Sequence, residues 1–272
     1  MNHLTRDLAP ISDAGWKEVD AEARERLQTH LAARRLVDVA GPHGWRHSAT
    51  DLGRTTTLDP ASLPDAGHGV VVRQRRVLPL TEIRVPFTVS RAELDDAERG
   101  ADDLEFDDLD RAARQIAMAE NRAVFHGWAA AGITGITETC PYPVPSLGED
   151  PEAYPGVIAR AVDTLRQAGI NGPYGLAIGP SGYTRMVEST EHGGQLLFDH
   201  VRRVLGGGKV VRAPGLDGAI LLRLDGGDFV LELGQDIAIG YSHHDAENVT
   251  LYLEESFSFR VAEPDAAITL SL

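Results

Sequence analysis

Residues 226–259 read GGDFVLELGQDIAIGYSHHDAENVTLYLEESFSF. Phe229, Leu231 and Leu233 alternate with Val230, Glu232 and Gly234, and Val249, Leu251 and Leu253 alternate with Thr250, Tyr252 and Glu254. Phe257, Phe259 and Val261 continue on the same parity. Period-two alternation predicts strands with one face on a core. Gly226-Gly227, Gly234 and Gly240 fall where turns or bulges would break the runs. Glu255 stands on the apolar parity. A carboxylate there needs either a bulge or a buried partner such as an arginine.

Upstream, Ser12 is placed to cap a helix running to about Arg35, after an extended arm over 1–11. Trp16, Val19, Ala23, Leu27 and Leu31 form one stripe, and charged residues take the other face. Such a helix lies on something: its own core, or in part a partner peptide. Leu36–Val39 reads as a short strand and 41–45 as a turn-rich loop. Residues 51–80 predict a long β-hairpin with a Pro- and Gly-rich tip. It holds Arg73, Arg75 and Arg76 among few apolar residues, so it is expected to extend and pair with a neighbouring subunit.

Strand 81–89 contains Pro86, which predicts an edge or a bend. Ser90-Arg91-Ala92-Glu93 has capping-box form and opens a helix that stops at Gly100. Residues 101–108 read as an acidic, solvated loop. A long apolar-faced helix then spans about Asp107 to Ala131, with Leu109, Ala112, Ala113, Ile116, Ala119, Ala123, Val124 and Trp128 on its buried face. Residues 132–224 read as an inserted α/β module. Helices are predicted at Pro155–Ala168, Ser181–Ser189 and Gln195–Leu205, and strands at Tyr174–Ile178, Val210–Val211 and Ala219–Leu224.

Composition narrows the function classes. The 272 residues carry a formal charge of −15, which argues against a nucleic-acid coat or a polybasic membrane binder. A single cysteine, Cys140, excludes an intramolecular disulfide and fits a reducing cytoplasm. MNHLTRDLAPIS lacks the apolar core of a signal peptide. No stretch approaches the run of about eighteen apolar residues that a membrane span needs.

No catalytic constellation emerges. Gly226-Gly227-Asp228-Phe229 lacks the second acidic residue of a cyclase signature, and Gly179-Pro180-Ser181-Gly182 has Tyr183 where a nucleophile elbow needs glycine. Gly206-Gly207-Gly208-Lys209 lacks phosphate-loop spacing. His243-His244-Asp245 and the pair His43, His47 are poor metal ligand sets, with no HExxH or CxxC present. Cys140 has no cationic helix start near it in sequence. The expectation is a protein that is not an enzyme and has no cofactor and no metal.

The segments RDLAP (6–10), VDVAGPHGW (37–45), VPFTVSRAELDDAERG (85–100), AMAENRAVFHG (117–127), GPYGLAI (172–178), GGDFVLELGQDIAIGY (226–241) and LYLEESFSF (251–259) together resemble, in order, the encapsulin shell proteins. The resemblance covers nearly the whole chain, least at the hairpin tip and at 138–150. It implies an α+β chain with the HK97-type fold of tailed-phage capsid proteins, self-assembling in the cytoplasm into an icosahedral nanocompartment. The smallest such shell has 60 subunits, T = 1. Residues 1–50, 81–131 and 225–262 would form the peripheral domain, 51–80 the extended loop, and 132–224 plus 263–272 the axial domain.

The resemblance also implies a cargo enzyme, a dye-decolourising peroxidase or a ferritin-like iron oxidase, captured through a C-terminal targeting peptide. By family analogy that peptide would meet Leu27, Leu31, Arg34 and Asp38 on one side and Asp228 and Val230 on the other. Glu191, His192, Gly193 and Gly194 would line a five-fold pore, or form a mere turn. A prophage major capsid protein is the alternative reading. Shell motifs that begin at residue 6 and a −15 charge speak for a protein lumen over packaged DNA. A bacteriocin-like protease is disfavoured by the missing nucleophile–base pair.

Overall fold

Strand β10 (Asn248–Val261) is the axis of the molecule, with 14 residues in one run. The computed structural model describes residues 3–59, 69–190 and 196–272. Along one flank β10 pairs antiparallel with β4 (Thr81–Ser90). Along the other it pairs first with β9 (Ala238–His244), then with β8 (Phe229–Leu233). The short β1 (Asp38–Ala40) adds parallel to β8 and completes a five-stranded sheet. Pro86 lies on β4, an edge strand, where its missing N–H costs no ladder bond.

Helices α1 (Asp13–His30), α2 (Arg91–Arg99) and α3 (Asp107–His126) cover the apolar face of this sheet. Val19 and Ala23 of α1 and Leu109, Ala112, Ala113 and Ile116 of α3 pack on Phe87, Val249, Leu251 and Leu253. Each such buried Leu or Ile contributes about 1.5–3 kcal/mol of transfer free energy. Twenty residues make α3 a rod of about 30 Å.

A second, four-stranded sheet has the order β11-β7-β5-β6, from β5 (Tyr174–Ile178), β6 (Val210–Arg212), β7 (Ala219–Arg223) and β11 (Ala267–Leu270). Helix α5 (Tyr154–Gln167) and helix α7 (Leu197–Val204) bury Ile158, Leu165, Leu197 and Val201 against it. The short α4 (Ile136–Thr139) follows α3, and α6 (Pro180–Glu188) follows β5. A third apolar cluster joins the two sheets, with Val124 and Phe125 of α3 meeting Phe229, Leu231, Phe257, Phe259, Ile220 and Leu222. Among the described residues β2 (Ala49–Leu58) and β3 (Val72–Pro79) pair only with each other, as a two-stranded ribbon.

Several expectations need correction. α1 ends at His30, not near Arg35, because Asn121 of α3 takes over the backbone there. Its side chain donates to His30 C=O at 2.8 Å and accepts from Ala33 N–H at 2.9 Å. α3 ends at His126, not Ala131, because Gly127 has φ +81° and leaves no room for a side chain beside Glu138 and Gly135. Trp128 lies beyond that end and is exposed. The arm is not wholly extended, since Arg6–Leu8 form a 3-10 turn. The capping box is half closed: Ser90 Oγ accepts from Ala92 N–H at 3.2 Å, while Glu93 turns away to accept from Glu105 N–H at 3.0 Å.

The decisive stretch differs too. Its polar parity is not open to water, for Glu254, Ser256 and Ser258 are buried as well. Glu254 meets Arg84 and His3, and Ser256 accepts from Gln235 N–H at 2.9 Å. Gly240 is neither turn nor bulge. It sits mid-strand under the ring of Tyr252, where an added Cβ would lie 2.2 Å from Cζ. The one irregularity in the pairing of β9 with β10 falls between Thr250 and Leu251, and Glu255 keeps a regular register with Ile83.

Candidate functional site

Helix α1 does not seat fully on the sheet. Between its C-terminal half and the start of β9 lies an open groove of about 450 Å³. Its apolar lining is Leu27 of α1 and Leu31 just past the helix end, with Ile237, Ala238, Ile239 and Leu253 opposite, and Arg24 and Gln28 of α1 line it as well. Leu27 and Leu31 are half-buried. Ser12 fixes the helix start by accepting from Gly15 N–H at 3.2 Å, and thereby fixes which side chains face the groove.

Charge frames the groove at both ends. Toward the middle of α1, Arg6 donates to Asp20 at 2.7 and 3.1 Å and lies 3.9 Å over the Trp16 ring. At the far end Arg34 Nη1 reaches Asp236 Oδ1 at 2.6 Å. The rest of the Arg34 fork points inward. Nε and Nη2 meet Glu120 Oε2 at 2.7 and 2.6 Å, and Nη2 meets Glu255 Oε2 at 2.9 Å. Both glutamates are 0% exposed.

Two buried carboxyls on one guanidinium cannot both be ordinary carboxylates. Burial, then the negative charge of Glu120, pushes Glu255 well above the usual carboxylate range. Burial raises Glu120 as well, although Arg34 opposes that shift. Burial disfavours the Arg34 cation, but Glu120 and Glu255 outweigh it and hold the guanidinium above its usual range. The arrangement is two buried carboxyl groups clamped by one arginine, with Glu255 the more strongly raised of the two.

Behind Arg34 lies a smaller polar cleft of about 160 Å³ that contains Asp38 and Asp228. Asp38 accepts from Gly227 N–H. Asp228, 3% exposed, is gripped in bidentate fashion by Arg223, whose Nε donates at 2.6 Å. Hydrogen bonding to Asp228 raises the Arg223 guanidinium above its usual range.

Thus Leu27, Leu31 and Arg34 come together on the groove. Asp38 and Asp228 lie in the adjoining cleft, Asp38 exposed and Asp228 buried against Arg223. Val230 lines neither, being buried in β8 opposite Asp38. Arg34 frames the groove and is held there by the carboxyl groups of Glu120, Asp236 and Glu255. Glu191, His192, Gly193 and Gly194 lie outside the described residues. The groove residues that sequence reading did not single out are Ile237, Ala238 and Ile239, although the alternation of DIAIGY marks two of them. Glu120 was also missed.

Among the described residues no group of three or more His, Cys, Asp or Glu could hold a metal ion. The His43 and His47 rings are 4.7 Å apart but tilted by 46°, and His244 Nδ1 is engaged with Tyr241 OH at 2.6 Å. No described helix is long and apolar enough to cross a membrane.

A family profile described as "Encapsulating protein for peroxidase" matches residues 1–258. The type 1 encapsulin shell protein of Rhodospirillum rubrum is 49% identical over 272 residues, covering 99% of this chain and 96% of that one. The shell protein of Rhodococcus erythropolis is 44% identical and that of Mycobacterium tuberculosis 40%, each covering 100% of both chains. Among solved structures, a virus-like particle from Pyrococcus furiosus superposes with a TM-score of 0.66 at 16% identity, over 94% of this chain and 99% of that one. The capsid of an empty GTA particle superposes with a TM-score of 0.54 at 16% identity, over 88% and 89%. These two likenesses establish the HK97-type capsid fold. With full-length relatives at 40–49% identity, this chain belongs to the type 1 encapsulin shell family, structural proteins of a capsid-like compartment and not enzymes.

Proposed function

We propose that the groove between α1 and β9 captures the extended C-terminal targeting peptide of a cargo enzyme, which the homo-oligomeric shell then encloses. The observation that carries this is an open channel whose apolar lining is Leu27, Leu31, Ile237, Ala238, Ile239 and Leu253, with Arg24 and Gln28 among its polar lining, on a chain with charge −15. A peptide with aliphatic side chains at alternate positions fits it, and the charged ends at Arg6–Asp20 and Arg34–Asp236 limit its length.

The free edge of β9 supplies the register. Tyr241 already gives its N–H to Leu4 C=O at 2.8 Å, and its C=O accepts from Thr5 Oγ1 at 2.9 Å. Period two places Ile239 and Ile237 on that same edge, beside the groove. An extended peptide laid there gains main-chain hydrogen bonds from the strand and side-chain contacts from α1.

Peroxidase is the favoured cargo, because the family description names it; a ferritin-like iron oxidase is the other passenger of the reading. The shell itself is proposed as 60 subunits, T = 1, in the cytoplasm. In this reading 1–50, 81–131 and 225–262 form the peripheral domain, 132–224 plus 263–272 the axial domain with its 191–194 loop at the five-fold pore, and the 51–80 hairpin crosses to a neighbour. Leu27→Asp with Leu31→Asp tests the groove: intact but empty shells are expected, and cargo that still co-purifies would refute the assignment.

A further inference from the structure

The ribbon of β2 and β3 has no core of its own. None of the described residues 49–59 and 69–80 is buried, and Val71, Val77 and Leu58 are exposed. An isolated two-stranded ribbon is marginal in water, so it draws its order from something outside itself.

Its cross-strand pairs indicate the chemistry of that partner. Arg54 stands directly opposite Arg76. Like charges at directly opposed positions are destabilising, with Cβ atoms about 4.5–5.5 Å apart. Arg75 finds Asp51 at 3.2 Å, but Arg54, Arg73 and Arg76 make no ion pair among the described residues. A like-charge rung on a ribbon of a strongly acidic chain calls for an anion from outside.

The chain also carries the matching surface. The loop between α2 and α3 and the first residue of α3 present Asp102, Asp103, Glu105 and Asp107, all exposed and without an ion pair among the described residues. No described ion pair joins this loop to the ribbon of the same chain.

We propose that the Arg54–Arg76 rung clamps a carboxylate of the 102–107 loop of a second copy, making this pair of surfaces a contact between subunits. The inference rests on the reading that the hairpin crosses to a neighbour, and it names what the hairpin meets there. Two arginine forks converging on one loop give bidentate, oriented contacts that fix register between copies.

Charge reversal in pairs tests it. Arg54→Glu with Arg76→Glu, and separately Asp102→Arg with Asp103→Arg, are expected to leave folded subunits that no longer form particles in negative-stain microscopy. All four changes together are expected to restore particles. All sites are exposed, and circular dichroism of each variant verifies folding. Loss in the arginine variant without rescue by the combined variant would overturn the loop as occupant, while leaving a subunit-crossing hairpin in place. Particles in both reversal variants would overturn the contact altogether, yet leave shell formation itself untouched. Unfolded arginine variants are replaced by Arg54→Thr with Arg76→Thr, which removes the rung without new charge and is likewise expected to weaken assembly.

Discussion

Arg34 Nη2 lies 2.9 Å from Glu255 Oε2, and this contact joins the end of the α1 region to the central strand. It resolves the one misplaced residue in the apolar parity of β10. The guanidinium also holds Glu120 of α3 and Asp236 before β9, so three other segments converge on one side chain. That side chain frames the proposed cargo groove.

Arg34→Ala is expected to destabilise the subunit by about 3–5 kcal/mol, because it strands two buried carboxyls without a counter-ion. Denaturant unfolding of the dissociated subunit measures this. Adding Glu255→Gln to that variant should recover part of the loss, as one buried acid then needs no partner. A loss below about 1 kcal/mol, the range of exposed pairs, would mean that the cluster is solvated.

The raised Glu255 predicts the sign of a pH dependence. Glu255 keeps its proton in the folded state above the pH at which the unfolded chain releases it. Its contribution to stability is therefore fully present below the ordinary carboxylate range and is lost as pH rises through the folded-state value. Glu120, Arg34 and Asp236 are the charged groups that face it. Glu255→Gln should flatten this part of the stability–pH curve, measured as unfolding midpoints across the acid-to-neutral range. An unchanged slope would place the proton elsewhere.

Gly240→Ala should cost about 1–3 kcal/mol, since the new methyl meets the Tyr252 ring. Tyr252→Ala in the same chain should relieve the clash, so the double variant is expected to lose less than the sum of the two singles. Strict additivity would show that the ring moves away freely.

The physical reasons for what was legible in the sequence are specific. Alternation located β8 and β10, because residues that face a core recur at period two, whereas β9 was obscured by Gly240, read as a break. The same alternation misled about the other face, since Glu254 and Ser256 are buried among partners from distant segments. That Glu255 needs a bulge or a buried partner was visible, but not which, because Arg34 arrives through tertiary structure. Glu120 sits four residues after Ile116 on the buried stripe of α3, so the helical period itself marked it. The ends of α1 and α3 were not legible, being set by Asn121 and Glu138 across the fold. Asp38 and Asp228 border one cleft with Arg34, where Asp38 accepts from Gly227 N–H and Asp228 from Arg223, contacts that no local pattern announces.

The most direct test is electron cryo-microscopy of shells co-expressed with a peroxidase that retains its C-terminal peptide, against shells co-expressed with the truncated enzyme. The account predicts an extended ribbon of extra density along Leu27, Leu31 and Ile237 in the first sample only, with its backbone beside Ile239. Cargo-filled shells whose groove is empty, or whose peptide density lies elsewhere, would contradict it.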